Sequence, residues 1–130
     1  MKLLNEGLVM TQEDKELLLR DLCARTPYGV KVQYMNNIFV IDYVSSYEEV
    51  KLDTSDNWTV GVSEVKPYLF PLSSMTEKQK KEYQYITERW MYDPSYSISD
   101  STDWLNKSYF DYRGLIEKGL AIDATGLNIY

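Results

Sequence analysis

The side chains best equipped for chemistry crowd into one stretch, Asp103-Trp104-Leu105-Asn106 through Phe110-Asp111-Tyr112-Arg113-Gly114. An aromatic ring flanked by an arginine, an asparagine and carboxylates can recognise a small polar ligand or a peptide. Arg113 beside Tyr112 can stack on the ring and grip a carboxylate or phosphate through two parallel N–H bonds. The same residues also read as structure, with Asp111 and Arg113 pairing or bracing the chain around Gly114 while the rings pack. Structure outweighs ligand binding here. The candidate ligand- or partner-binding residues are Trp104, Asn106, Asp111, Tyr112 and Arg113, with Lys66 and Tyr68 as a second surface.

Catalytic options are few. The chain has no histidine, which rules out a Ser-His-Asp triad, a Cys-His pair and histidine metal sites. No glycine-rich phosphate loop of either common spacing occurs. Carboxylates close in sequence, Glu48 with Glu49, Asp53 with Asp56 and Asp100 with Asp103, sit beside turn or cap positions where a structural carboxylate belongs. Asp53-x-x-Asp56 lacks the frame of a calcium loop. Cys23 is the one cysteine, so neither an intramolecular disulfide nor a cysteine zinc site can form. It falls on the apolar side of a predicted helix and is expected to be a small core residue. No catalytic residue, metal or cofactor is assigned, and the expectation is a non-enzymatic protein.

Twenty acidic against 14 basic residues leave a net charge of −6 with no basic block, which disfavours sequence-independent nucleic-acid binding. The charges are interleaved, as in Thr76-Glu77-Lys78-Gln79-Lys80-Lys81-Glu82, the pattern of a solvated helix face. Twelve tyrosines to three phenylalanines point to rings at half-buried or interface positions, because each hydroxyl needs a partner or water. The partner expected is another protein, with a small polar ligand as the other class. The opening Met1-Lys2-Leu3-Leu4-Asn5-Glu6 lacks a signal-peptide pattern and no run approaches a membrane span, so the expectation is a cytosolic protein without membrane contact.

The elements that must position these residues fall into two halves of a single domain over residues 1–130. After a lead-in over residues 1–10, Thr11 reads as the cap of a helix over 11–26, stapled by Met10 and stopped by Pro27. Leu18, Leu19, Leu22 and Cys23 form its apolar stripe, and Glu13, Lys15, Glu16, Arg20 and Asp21 its solvent side. Residues 28–65 form a β half. Val30 to Tyr34, Ile38 to Val44, Val50 to Leu52 and Trp58 to Val62 read as strands, with a turn at Asn36-Asn37 and a helical turn at Ser63-Glu64-Val65. The expected architecture is α+β: a small antiparallel SH3-like barrel or bent sheet, braced by the N-terminal helix and C-terminal helices.

Lys66-Pro67-Tyr68-Leu69-Phe70-Pro71 opens a proline strap over 66–75 that must be extended or turned, joining this half to a helical half over 76–125. There Thr76 and Gln79 form a capping box, and Tyr83, Ile86 and Trp90 recur on one helix face. Residues 92–101 read as a loop and a third helix starts near Ser101. Gly119 ends a short helix carrying Leu115 and Ile116, Leu120-Ala121-Ile122 returns as an edge strand, and residues 126–130 dock.

Three phrases carry a resemblance. They are Leu22-Cys23-Ala24-Arg25-x-Pro27-Tyr28-Gly29-Val30, the segment from Val65 through the proline strap to Thr76, and Asp103-Trp104-Leu105-Asn106 to Phe110-Asp111-Tyr112-Arg113-Gly114-Leu115-Ile116. They resemble a family of short proteins, of no assigned activity, encoded by gut Bacteroides-type bacteria and their phages or prophages. The resemblance spans about residues 16 to 125 and is least in 31–62. It carries no cofactor or site residue. What it implies is context: a phage or mobile-element accessory protein acting inside a bacterial cell.

Overall fold

The computed structural model describes residues 10–56 and 59–130. Most of the expected lead-in, residues 1–9, and Trp58 in the fourth expected strand lie outside them. The Thr11 hydroxyl accepts the Asp14 amide at 3.1 Å and starts α1 (Gln12–Arg25). The helix is rolled relative to the expectation. Leu18 and Leu22 are fully buried, but so are Asp21 and Arg25, while Cys23 is exposed rather than in the core. Each buried charge has a partner inside the protein, which alone makes such burial tolerable.

The fold is α+β. The described residues form one seven-stranded mixed sheet with helices from both ends of the chain packed on it. β1 (Lys31–Tyr34), β2 (Asn37–Val44), β3 (Glu49–Leu52) and β4 (Thr59–Gly61) form an antiparallel meander. Its register slips between Ile41 and Tyr43, which bends β2. A 3-10 turn at Val62–Glu64 then delivers β5 (Lys66–Pro71) beside β1. The order β4-β3-β2-β1-β5-β6 is an open path, so the sheet does not close into a barrel.

The β1–β2 turn falls one residue earlier than expected. Met35 and Asn36 occupy it, both with positive φ (49° and 67°), while Tyr34 and Asn37 pair across the ladder. A two-residue connection of this kind needs left-handed conformations at both positions to match strand twist. Methionine is poorly suited to one, at a cost of roughly 1–2 kcal/mol. With its side chain 72% exposed, Met35→Gly is expected to stabilise the protein by about 1 kcal/mol. A lower urea midpoint for that variant would show instead that the methionine side chain holds the turn.

The first part of the proline strap is β5, and a 3-10 turn at Leu72–Ser74 follows it. β5 pairs antiparallel with β1 through Lys66 and Pro67, then parallel with β7 (Ile122–Asp123) through Tyr68 and Leu69. Phe70 and Pro71 pair parallel with β6 (Phe110–Asp111). Successive side chains of a strand point to opposite faces, and both faces of β5 are covered. Leu69 belongs to the larger core with Leu18, Leu22, Val32, Leu52 and Leu115. Phe70 packs on a second core of Trp104, Leu105 and Phe110.

Between β5 and β6 the chain crosses over through α2 (Glu77–Arg89) and α3 (Ile98–Lys107), as a parallel pair requires. Thr76 and Gln79 cap α2 reciprocally, at 3.1 and 2.9 Å. Tyr83 and Ile86 pack against the second core, but Trp90 lies past the helix end and is 43% exposed, outside the expected stripe. α3 begins at Ile98 rather than near Ser101, because the Asp100 carboxylate accepts the Ser97 amide at 2.6 Å and sets the start one turn earlier. Residues 115–119 form turns rather than a helix, with Gly119 left-handed at φ 75°. The expected return strand at Leu120-Ala121-Ile122 is displaced: β7 begins only at Ile122, while Leu120 and Ala121 are buried ahead of it.

The C-terminal docking is anchored by Tyr130. Its hydroxyl accepts the Lys31 amide at 2.8 Å and donates to the Tyr68 carbonyl at 3.0 Å, and its ring stacks on Tyr109 at 3.7 Å. Burial pushes both phenols above their ordinary pKa. An acid whose native pKa is raised keeps its proton after the unfolded chain has begun to lose it. Its stabilising contribution is therefore complete below about pH 10 and declines as the pH climbs beyond that. Alkaline unfolding midpoints should fall with pH in the native protein and fall less in Tyr130→Phe. Parallel curves for the two would rule out this phenol as the source.

Candidate functional site

The polar-aromatic stretch folds into a buried network around the end of α1. Asp21 accepts Arg25 Nε at 3.0 Å with one oxygen and Arg113 Nη1 at 2.7 Å with the other. Arg25 also donates through Nη2 to the Phe110 carbonyl at 2.6 Å and through Nη1 to the Leu105 carbonyl at 3.4 Å. A helix leaves its last carbonyls without helical donors, and here one guanidinium supplies the carbonyl of Leu105 in the last turn of α3. Both guanidinium carbons lie over the Tyr112 ring, Arg113 at 4.5 Å and Arg25 at 5.4 Å from its centre. The Tyr112 hydroxyl donates to Asn106 Oδ1 at 2.8 Å.

Asp111 does not pair with Arg113. Its two oxygens accept the backbone amides of Leu115 and Ile116, at 3.0 and 2.9 Å, and hold the turn that left-handed Gly114 (φ 76°) begins. Trp104 and Asn106 are buried, as is Tyr68, whereas Lys66 is exposed at the start of β5. The structure thus brings Asn106, Tyr112 and Arg113 together, but around Asp21 and Arg25 rather than around an open cavity. Trp104 lines a different groove, and Tyr112 lines one with Pro71, Leu72 and Ile116.

The open surfaces lie elsewhere. A groove of about 570 Å³ runs between α2 and α3, floored by Trp104 and Ile86 and rimmed by Lys78, Lys81 and Lys107. Trp90, Met91 and Tyr92 in the α2–α3 connection are exposed, as are Tyr85 near the end of α2 and Ile98 at the start of α3. Arg89 organises part of this region, its guanidinium carbon lying 5.2 Å from the Tyr85 ring centre and 5.9 Å from that of Tyr96, with Asp93 at 3.6 Å. Asp93 accepts the amide and hydroxyl of Ser95, which hold its carboxyl below the ordinary range. Asp93 therefore stays charged opposite Arg89 even in mild acid.

Sequence reasoning missed two groups. Asp21 and Arg25 carried a signal, the i,i+4 spacing of an ion pair. Two of the groove lysines, Lys78 and Lys81, were hidden within a run whose interleaved charges read as a solvated face.

Among the described residues, no group of three or more histidines, cysteines or acidic residues is placed to hold a metal, and no helix is long and apolar enough to cross a membrane. Fold and surface together define a small α+β protein with an internally satisfied polar cluster and an aromatic, partly cationic outer face on its helical half. No family model, curated protein or solved structure matches the chain.

Proposed function

We propose that this chain is a non-enzymatic protein-interaction module, a phage or mobile-element accessory protein working in the bacterial cytoplasm. The observation that carries the reading is the outer face of α2. The helix buries no residue completely, yet Trp90, Met91 and Tyr92 follow it in exposed positions beside Tyr85 and Arg89. Tyrosine, tryptophan, methionine and arginine are the residues enriched at protein interfaces, and clustered exposure of this kind marks interaction surfaces. In this reading the β half, a four-strand meander followed by a 3-10 turn and a fifth strand beside the first, is taken as an SH3-like unit that stays open.

A small nucleotide-like ligand has less support, because Trp104 and Tyr112 line separate grooves and Arg113 is turned to Asp21. The test is native mass spectrometry of the protein isolated from bacterial cells, beside a Trp90→Ser, Met91→Ser, Tyr92→Ser variant. A protein adduct present for the native chain and lost in the variant is the expected result. A retained mass of several hundred daltons in both would overturn the reading in favour of a small ligand.

A further inference from the structure

The groove between α2 and α3 departs from the charge of the whole molecule. Lys78, Lys81, Glu82, Tyr85 and Ile86 recur at i, i+3, i+4, i+7 and i+8, so they share one face of α2. Lys107 closes the groove from α3, one turn beyond Trp104. Three lysines to one glutamate make this rim positive on a chain of net charge −6. Among the described residues none of the three makes an ion pair, whereas Lys80, outside the groove, bonds Glu77 at 3.3 Å. The floor is apolar and fixed, because the Trp104 ring is stacked on Phe110 at 5.7 Å and held by Tyr83 at 5.6 Å.

Resting on the interaction-module reading, we propose that this groove binds an acidic peptide segment of the partner, with one aromatic or aliphatic side chain set on Trp104 and Ile86. Two carboxylates of one segment can reach Lys78 and Lys81, about 4.5 Å apart along the helix axis, and a third can reach Lys107 across the groove. A nucleic acid fits less well. Its phosphates, repeating at close spacing, would outrun three lysines on a chain whose net charge is −6.

The test pans a random peptide library against the native protein and measures the enriched peptides by fluorescence anisotropy. Beside it runs the variant Lys78→Glu, Lys81→Glu, Lys107→Glu, which alters only exposed side chains. Enriched peptides should be acidic around a single apolar residue. They should weaken with added salt and by about tenfold or more on the charge-reversed variant. Peptides indifferent to that variant but lost from Trp90→Ser, Met91→Ser, Tyr92→Ser would overturn the groove assignment while leaving the module reading intact. An enriched set without acidic residues, or no enrichment at all, would also overturn it. So would AMP or pyrophosphate shifting the Trp104 indole N–H resonance as strongly as the best peptide, giving the groove to a small anion.

Discussion

Asp21→Ala is expected to destabilise the protein by about 3–5 kcal/mol, the range seen when one member of a buried ion pair is removed and its partner stays charged. Arg25 has no exposure and cannot carry its charge to water. It keeps its bonds to the Leu105 and Phe110 carbonyls but loses its one carboxylate partner among the described residues. A loss of this size takes a large share of a stability that for single domains is about 5–15 kcal/mol. Arg113→Ala should cost far less, about 1–2 kcal/mol, because Asp21 keeps Arg25 and the arginine removed is already partly exposed. Urea denaturation of both variants beside Cys23→Ser, an exposed control, decides the matter. Should Asp21→Ala shift the midpoint no more than the cysteine control does, the network does not hold α1 to the helical half. Should Arg113→Ala remain folded and yet lose a partner, Arg113 belongs to a binding surface after all.

The second large effect is expected at Phe110, which is 2% exposed and packs on both Trp104 and Phe70. Phe110→Ala should cost about 3–5 kcal/mol through the cavity it leaves. The loss should also be uneven in space. Hydrogen exchange should accelerate first in α2 and α3, whose packing depends on the second core, while β1, β2 and β3 keep their protection. Uniform acceleration across the chain would show instead that the two cores unfold as one. The same variant tests the groove floor, because Trp104 loses the ring on which it stacks.

Much of the skeleton was legible because it rests on local rules. Thr11 and Thr76 announced their helices through cap chemistry, and the alternation at Val30, Val32 and Tyr34 announced a strand. The prolines at 67 and 71 required an extended or turned chain, and β5 supplies the extended form. What was not legible depends on partners distant in sequence. A buried Asp21–Arg25 pair has the same spacing as an exposed one, and only Leu105, Phe110 and Arg113, eighty or more residues away, turn it inward. Cys23 read as core because it is small and apolar, and the roll of α1 that buries Asp21 places it outside. Alternation reports which face a residue takes but not which strand it meets. Four short strands could therefore be read but not whether they close. The start of α3 was hidden in a serine-rich run whose cap uses Asp100 rather than glutamate.

The position of β5 in both cores also has a meaning in time. During synthesis it can pair with β1 as soon as it leaves the ribosome, but Phe110 and Ile122, opposite Phe70 and Tyr68, come forty and fifty-four residues later. At the usual pace of translation that is a wait of roughly two to ten seconds. Throughout it, the nascent chain holds a strand with part of its hydrogen-bonding edge unfilled and Phe70 uncovered. The period when this protein is most open to chaperones, or to pairing with another chain, is thus written into the length of its own crossover.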